Sequence, residues 1–363
     1  MNMPGRRRVG RILVRAANWV GDVVMGLPAL EALHAGFPES RITVLARPWV
    51  RALLENHPAV GEIMDVSKSG GPFRSLAEVL SVSFQVRKKG FDLAVLFQNA
   101  FEAAFIARLG GVPVRVGYGT DLRAPLLTHP VSKPDGLPGR HQVEYYLHLV
   151  ESGLGIQAAY RHEPRLFIGQ EEIRRARRLL EEAGLTDDDF ILGLAPGAAY
   201  GPAKRWPAER FAGAADRAAS AWGARVAILG SGADRDACKQ VESAMRHRPV
   251  NFCGSTGMGE AVGLIARCGL LLTNDSGLMH VSAALGVPTV AVFGSTDPEA
   301  TGPRGGLCRV VRRKIACSPC FKSVCPRDFS CMLGVTEDMV WTEMEALAGG
   351  GLPEESGKER DGA

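Results

Sequence analysis

Residues 273–280 (TNDSGLMH) have the side chains and spacing expected of an anion site. A buried apolar strand ends there and a helix begins, so that Asp275 or Ser276 can cap the helix. Three backbone amides then point outward with the positive end of the helix dipole, those of Gly277, Leu278 and Met279. Such a helix end binds phosphate, although a plain N-cap at a tight turn gives the same pattern.

A second stretch, residues 196–207 (PGAAYGPAKRWP), is a Gly-rich loop that follows another apolar run. Lys204 supplies a point charge suited to a diphosphate, and Arg205 supplies a planar fork of donors. The alternative is a surface loop. For Trp206 we favour packing against the sheet, whereas for Lys204 we favour a functional role.

A third stretch, residues 18–22 (NWVGD), ends the first apolar run of the chain. A carboxylate at Asp22 would face the two phosphate-binding stretches across a cleft, where a general base for an acceptor hydroxyl is needed. A helix cap is the alternative interpretation of Asp22. Spacing and composition do not decide between the two.

Short apolar runs that alternate with helical patterns position these three stretches. The predicted strands are RILVRA from Arg11, 41–46, 91–97, 190–196, 224–230, 268–275 and 287–294. The predicted helices are 23–33, one near Val50, 101–109, an amphipathic surface helix at 171–183 and 336–347. This alternation predicts an α/β protein with two open parallel sheets, each covered on both faces. Ligands bind beyond the carboxyl ends of such strands, so the site is expected in a cleft between the halves.

The domain boundary is expected where the periodicity lapses, between Gly153 and Gly169. We therefore predict an N-terminal domain at 1–160 and a C-terminal domain at 161–348 that carries a Cys-rich loop at 308–334. Residues 349–363 are expected to form a disordered tail because they are rich in Gly and charged residues.

Taken together, NWVGD, GPAKRWP and TNDSGLMHVSAALGVPTVAVFGSTDP resemble bacterial ADP-heptose:lipopolysaccharide heptosyltransferases, which form glycosyltransferase family 9. The heptosyltransferase II type is the most similar, and the resemblance runs from Ile12 to Val311. It implies a GT-B fold of two facing Rossmann-like domains, with the acceptor on the N-terminal half and ADP-heptose on the C-terminal half. The implied reaction is an inverting transfer of L-glycero-D-manno-heptose to the first heptose of the lipopolysaccharide inner core.

The resemblance also implies a role for each matching residue. It makes Asp22 the catalytic base and places Lys204 on the donor diphosphate. On the donor side it implies contacts with phosphate, sugar and nucleoside by Thr256, Asp275, Ser276, Gly277, Leu278, Met279 and His280. On the acceptor side it implies Asn18 and a cation, Arg123, for an acidic inner-core acceptor.

No Asp-x-Asp pair accompanies these motifs, so we expect catalysis without a cofactor or divalent ion. Lys204 and the amides at 277–279 would neutralise the charge that a metal neutralises elsewhere. A separate cluster has enough thiols for one tetrahedral structural zinc: Cys317, Cys320, Cys325 and Cys331. Reduced thiols and disulfides are the alternatives for these cysteines.

The composition narrows the class of protein. Hydrophobic residues make up 46% and charged residues 23% of the 363 residues, which is typical of a globular protein in water. The net charge of +4 is too small to predict a nucleic-acid partner. We expect a cytoplasmic protein at the inner-membrane surface. The basic clusters 6–8, 87–89 and 309–314 could meet anionic lipid there, although we favour a solvated face for each cluster taken alone. The alternative functions are a related transferase for another surface polysaccharide and a nucleotide-sugar-binding protein without turnover.

Overall fold

The computed structural model describes residues 9–66, 72–133, 140–156 and 163–349. Strands and helices alternate along these residues. The strands are β1 (Arg11–Arg15), β2 (Arg41–Ala46), β3 (Glu62–Asp65), β4 (Leu93–Leu96), β5 (Val114–Tyr118), β6 (His129–Val131), β7 (Ile191–Ala195), β8 (Arg225–Ile228), β9 (Val250–Asn251), β10 (Leu270–Asn274), β11 (Thr289–Phe293) and β12 (Cys308–Arg312). The helices are α1 (Val20–Met25), α2 (Leu27–Gly36), α3 (Pro72–Lys89), α4 (Phe101–Leu109), α5 (Gln142–Leu154), α6 (Gln170–Glu182), α7 (Ala208–Trp222), α8 (Arg235–Ala244), α9 (Met258–Ala266), α10 (Gly277–Ala284), α11 (Pro298–Thr301), α12 (Ser330–Leu333) and α13 (Glu337–Ala348).

The strands form two parallel sheets of six strands each. Their orders are β3-β2-β1-β4-β5-β6 and β12-β11-β10-β7-β8-β9. In the first sheet β1 lies between β2 and β4, with Ile12 opposite both Ile42 and Leu93. In each sheet the strand order reverses beside the first strand, which opens a crevice at the carboxyl ends of β1 and β4 and of β7 and β10. The predicted pair of parallel sheets is confirmed.

Apolar residues on both faces of the strands explain why helices cover both sides of each sheet. Ile12 and Val14 of β1 pack into one cluster with α1, α2 and α5. Leu13, between them, points to the other side and packs with α3 and α4. This alternation follows from the two-residue period of a strand. The carboxyl ends of the strands are therefore held rigidly, and the loops that follow them are the parts free to bind ligands.

The two halves touch where α1 meets α10. A Cβ placed on Gly277 would lie 2.7 Å from Cβ of Val20, and one on Gly21 would lie 2.8 Å from Cδ2 of His280. Glycine is required at both positions because the two helix starts approach each other this closely. The Gly-Asp turn of the first half is thus pressed against the Ser-Gly turn of the second.

Polar contacts also join the halves near the start of α5. Nε2 of His141 lies 2.8 Å from the carbonyl oxygen of Gly302, and Arg304 pairs with Glu144 at 2.9 Å. His141 caps α5, because its Nδ1 accepts a hydrogen bond from the amide of Val143. The ring therefore donates from Nε2 and is neutral in this arrangement.

Three of the predicted elements differ from the structure. The predicted helix near Val50 is a short 3₁₀ turn, Pro48–Leu53. The predicted helix at 23–33 is two helices, α1 and α2, that divide at Gly26, where Pro28 opens the second. The segment 308–334 is not entirely a loop, because it contains β12 and α12.

Two of the boundary predictions concern residues outside the described ranges. Residues 160 and 161, at the predicted domain boundary, lie in one gap. The predicted tail also lies outside the described residues except for Gly349, which is the C-cap of α13. Among the helices of the described residues, we find none with the length and apolar character needed to cross a membrane.

Candidate functional site

Two cavities open at the carboxyl ends of the strands. The first, about 600 Å³, lies in the N-terminal half, and Asn18, Asp22 and Tyr146 are in its wall. The second, about 780 Å³, lies between the halves, and its wall includes residues 276–278 at the start of α10. Trp19 borders both cavities. Both volumes are in the range of small-molecule sites.

Asp22 is the third residue of α1, which begins at Val20. Trp19 occupies the N-cap position, and no side chain caps the helix. The phenol of Tyr146 instead donates a hydrogen bond to Oδ1 of Asp22 over 3.4 Å. Asp22 is therefore not the cap, which was one of the two interpretations left open by the sequence.

The surroundings of Asp22 change its proton affinity. Burial raises the pKa of its carboxyl above the ordinary value, while the hydrogen bond from Tyr146 and the positive charge of Lys204 lower it. Burial has the largest effect, so the carboxylate is a stronger base than one in water. A partly buried carboxylate of raised pKa, beside a cavity, has the properties expected of a general base.

In the second half, Lys204 from the loop after β7 forms a tight ion pair with Asp275, which lies between β10 and α10. Nζ of Lys204 lies 2.5 Å from Oδ2 of Asp275, and both side chains are mostly buried. The hydroxyl of Thr296 donates to the same carboxylate oxygen over 2.5 Å. Lys204 also lies over the ring of Tyr200, 5.1 Å from its centroid. The structure thus brings Lys204 and Asp275 together, but they face each other, and neither is in the wall of either cavity.

The start of α10 carries no side-chain cap. Asp275 is occupied by Lys204, and Oγ of Ser276 lies 3.2 Å from Oγ1 of Thr273. Ser276 thus occupies the N-cap position, but the capping hydrogen bond expected from the side chain of Asp275 or Ser276 is not made. Since no side chain satisfies the first amides of α10, they remain available at the wall of the larger cavity, with the helix dipole behind them.

Asn274, which we did not single out from the sequence, fixes the loop that carries Lys204. Its Oδ1 accepts from the amide of Trp206 over 2.9 Å, and its Nδ2 donates to the carbonyl of Pro196 over 2.8 Å. The indole of Trp206 is buried and donates to the carbonyl of Val335 over 3.0 Å. The packing role favoured for Trp206 is confirmed. An Asn at the end of a buried strand was the signal in the sequence, because a buried amide needs partners.

The remaining residues predicted on the donor side lie around the larger cavity in different ways. Thr256, Gly277 and Leu278 are in its wall. Met279 is fully buried against Ala291 and Phe293, so only its backbone faces the helix start. His280 is buried against Gly21, and burial lowers its pKa to about 4, which keeps the ring neutral at neutral pH.

Arg123 is not a cation of the cavity wall. Its side chain is fully buried. Its guanidinium donates to the carbonyls of Tyr118 and Gln98 and, over 3.0 Å, to Oδ1 of Asn99. Burial lowers the pKa of Arg123 to about 10. Arg123 therefore supports the segment after β4. Gln98 and Asn99 of that segment line the smaller cavity, so Arg123 positions the cavity wall without being part of it.

Other cations occupy the place expected for Arg123. Lys133 and Arg140 are exposed and border the smaller cavity. Asn18, the other residue predicted on the acceptor side, is in the same wall and is held by Arg15, whose Nη2 donates to its Oδ1 over 2.9 Å. The sequence signal for Lys133 and Arg140 was weak, because neither lies in a recognisable motif.

The cysteine cluster gives no support to the zinc prediction. The four thiols are free, and within the described ranges no group of three or more metal-ligating side chains is arranged to hold an ion. Backbone hydrogen bonds hold this segment instead: the amides of Cys320 and Phe321 donate to the carbonyl of Ser295 over 3.1 and 2.7 Å. The hydroxyl of Tyr200 donates to the carbonyl of Phe321 over 2.6 Å, which ties the segment to the loop of Lys204.

Comparison with known proteins gives consistent matches. The family described as Glycosyltransferase family 9 (heptosyltransferase) matches residues 79–329. The chain is 32% identical over 309 residues to lipopolysaccharide heptosyltransferase 2 of Escherichia coli K12, covering 83% of this chain and 88% of that protein. It is 33% identical over 310 residues to the protein of the same name from Salmonella typhimurium, with the same coverage of 83% and 88%.

Solved structures give the same result for the fold. The structure of E. coli ADP-heptose lipopolysaccharide heptosyltransferase II superposes with a TM-score of 0.80 at 29% identity, covering 93% of this chain and 98% of that one. A glycosyl transferase family 9 structure from Veillonella parvula superposes with a TM-score of 0.83 at 27% identity, covering 94% and 99%. The predicted arrangement of two facing Rossmann-like domains is therefore confirmed.

Proposed function

The chain belongs to glycosyltransferase family 9, the heptosyltransferases, and we propose that it transfers L-glycero-D-manno-heptose from ADP-heptose to the first heptose of the lipopolysaccharide inner core. The observation that carries the proposal is the pair of cavities on either side of Trp19. One contains a carboxylate of raised pKa, Asp22, and the other contains the uncapped start of α10.

The larger cavity is the proposed donor site. The free amides at Gly277 and Leu278 suit the diphosphate of ADP-heptose, and Thr256 borders the region left for the nucleoside. Its volume of about 780 Å³ accommodates a nucleotide sugar. We assign Lys204 to the diphosphate as well. Asp275 holds the Lys204 ammonium near the start of α10, and the ammonium can pair with Asp275 and with the diphosphate at the same time.

The smaller cavity is the proposed acceptor site. A hydroxyl of the acceptor heptose gives its proton to Asp22 as its oxygen forms a bond with the anomeric carbon of the donor. The bond from that carbon to the ADP oxygen breaks, and the negative charge that develops on ADP is stabilised by Lys204 and the amides of α10. Attack from the face opposite ADP inverts the anomeric configuration. We propose that no divalent cation takes part, because these fixed positive groups supply its electrostatic role.

The acceptor is a lipopolysaccharide precursor, so we place the enzyme at the cytoplasmic face of the inner membrane as a peripheral protein. Lys133 and Arg140 in the smaller cavity suit an acceptor that carries acidic groups. This assigns to them the task that the sequence suggested for Arg123.

A transfer assay tests the function. Purified protein is mixed with ADP-heptose, with and without lipopolysaccharide truncated after the first heptose, and ADP release and the mass of the acceptor are measured. The expected result is acceptor-dependent ADP release and a mass increase of one heptose. Release only with a different polysaccharide would indicate a related transferase, and donor binding without release would indicate a nucleotide-sugar-binding protein. Asp22→Asn is the matched inactive control.

A further inference from the structure

Helix α3 exposes an apolar face to solvent. Leu76, Leu80 and Phe84 follow one another at four-residue intervals and are 52%, 51% and 68% exposed. Val79, Val82 and Val86, on the opposite side of the helix, pack into the core. A surface helix ordinarily presents charged residues on its outer side, so an apolar outer face marks an interaction site.

Helix α4 extends this apolar face. It packs beside α3 over the same side of the first sheet, and both helices contribute to the same core cluster. Phe101 and Leu109 are exposed, and the ring of Phe105 stacks on that of Phe101 with centroids 5.9 Å apart. We call the six side chains of the two helices the α3/α4 face: Leu76, Leu80, Phe84, Phe101, Phe105 and Leu109.

Cations stand at one end of the α3/α4 face. Arg87 and Lys88 are exposed in the last turn of α3, and Arg108 is exposed in the last turn of α4. The two helix ends adjoin: Gly110, after α4, lies so close to Val86 of α3 that a Cβ on Gly110 would collide with Cγ1 of Val86. In the part of the chain that the structure describes, Lys89 pairs with Glu62 at 2.5 Å, whereas no ion pair engages Arg87, Lys88 or Arg108.

The α3/α4 face begins beside the smaller cavity. Asn99, in the cavity wall, precedes Phe101 by two residues. The apolar side chains and the cations are therefore on the half that carries Asp22, and the face starts at the rim of the proposed acceptor site.

We propose that the α3/α4 face docks on an anionic lipid bilayer, with its apolar side chains among the acyl chains and Arg87, Lys88 and Arg108 at the headgroups. Apolar contact and positive charge together are what holds a protein at an anionic membrane surface. A second copy of the chain would add three more unpaired cations to the same interface, whereas an anionic bilayer offers each cation a counter-charge. The inference rests on the proposed function for its choice of partner, since the acceptor is a lipid.

Co-sedimentation of the full chain with acceptor-free vesicles tests the docking. Vesicles of phosphatidylcholine alone are compared with vesicles that also contain phosphatidylglycerol. We expect the partition coefficient to be at least tenfold higher on the anionic vesicles. Leu80→Glu with Phe84→Glu should lower it at least tenfold, and Arg87→Gln with Lys88→Gln should lower it by about fivefold per cation.

Matched controls separate docking from folding. Leu307→Glu with Leu333→Glu alters two side chains of the other half that are 48% and 47% exposed, and should bind as the wild type does. If the thermal unfolding curve shows that Leu80→Glu with Phe84→Glu is not folded, Leu80→Gln with Phe84→Gln replaces it. Equal binding to both vesicle types, or unchanged binding by the α3 variants, would overturn the proposal. So would a wild-type dimer in sedimentation velocity that the α3 variants dissociate.

A second readout keeps this inference distinct from the proposed function. With a deacylated, water-soluble acceptor the α3 variants should retain kcat/KM, while with acceptor embedded in anionic vesicles it should fall at least tenfold. If no acceptor supports transfer, the proposed function fails, yet the sedimentation result still decides whether the α3/α4 face binds the bilayer. If both forms of the acceptor lose activity equally, the face acts on catalysis itself and the docking proposal is wrong.

Discussion

The substitution Asp22→Asn separates the chemical role of the carboxylate from its structural one. Asparagine has the same shape and keeps an oxygen that accepts the hydrogen bond from Tyr146, but it cannot take a proton at neutral pH. Asp22 borders the smaller cavity, whereas the larger cavity is the proposed donor site. The variant should therefore lose turnover and keep donor affinity.

The size of the loss follows from the role of a general base. Removing such a base lowers kcat by roughly 10²–10⁴, which is about 3–5 kcal/mol of transition-state free energy. Stability should move the other way. Burial raises the pKa of Asp22, so the folded protein binds that proton more tightly than the unfolded chain does, and the carboxylate costs stability once the pH has risen past its folded pKa. Asparagine lacks this cost at pH 7.

Three measurements check the prediction. ADP release gives kcat, isothermal titration with ADP gives donor affinity, and thermal unfolding at several pH values gives Tm. The wild-type kcat/KM should fall as the pH decreases through the raised pKa of Asp22, and the Tm of the variant at pH 7 should equal or exceed that of the wild type. Either a tenfold weaker affinity for ADP or a kcat within threefold of the wild type would refute the assignment of Asp22 as base.

Four other results are expected. Lys204→Ala should raise the Kd for ADP as well as lower kcat, because it removes the ammonium beside the start of α10. Titration with ADP measures the Kd, and Lys239→Ala, at an exposed lysine, is the control. Equal Kd values for the two variants would count against the prediction. Activity should persist in excess EDTA, and its loss with recovery on adding Mg²⁺ would establish a metal requirement. Arg123→Gln should lower the free energy of unfolding, measured in urea, by roughly 3 kcal/mol or more, since it leaves buried carbonyl oxygens without hydrogen-bond donors. An unchanged free energy of unfolding with a raised KM for the acceptor substrate would instead indicate that Arg123 binds that substrate directly. Gly277→Ala should lower both Tm and kcat, because its Cβ would lie 2.7 Å from Cβ of Val20, and an unchanged Tm would show that the halves separate freely.

The sequence predicted the two sheets because their strands are buried on both faces. Segments such as 91–97 and 268–275 are continuous apolar runs closed by turn residues, and that pattern is produced by few other structures. Five strands were missed: β3, β5, β6, β9 and β12. Four of them, β3, β6, β9 and β12, are edge strands, where partial exposure interrupts the apolar run. The inner strand β5 was missed because Arg115 and Gly117 interrupt its apolar run. Helix α3 was missed because its outer side is apolar too, so its pattern lacks the usual polar stripe.

The site was predictable as a set of motifs but not as a set of contacts. The sequence indicated that residues 18–22, 204 and 275 act together, since all three segments follow strands of the parallel sheets. It could not indicate that Lys204 faces Asp275 rather than the cavity, because that pairing depends on how the loop is clamped by Asn274. Nor could it indicate that Arg123 is buried, because only the tertiary structure supplies the carbonyls that satisfy it.

Trp19 borders both cavities and is 66% exposed. Of the chain's other four tryptophans, Trp49 borders the larger cavity but not the smaller one, and Trp206 and Trp341 are buried in the second half. Occupation of either cavity changes the polarity around the Trp19 indole, and so its emission wavelength. The unlabelled protein thus carries its own optical probe at the junction, and stopped-flow fluorescence with each substrate in turn would give the order in which they bind.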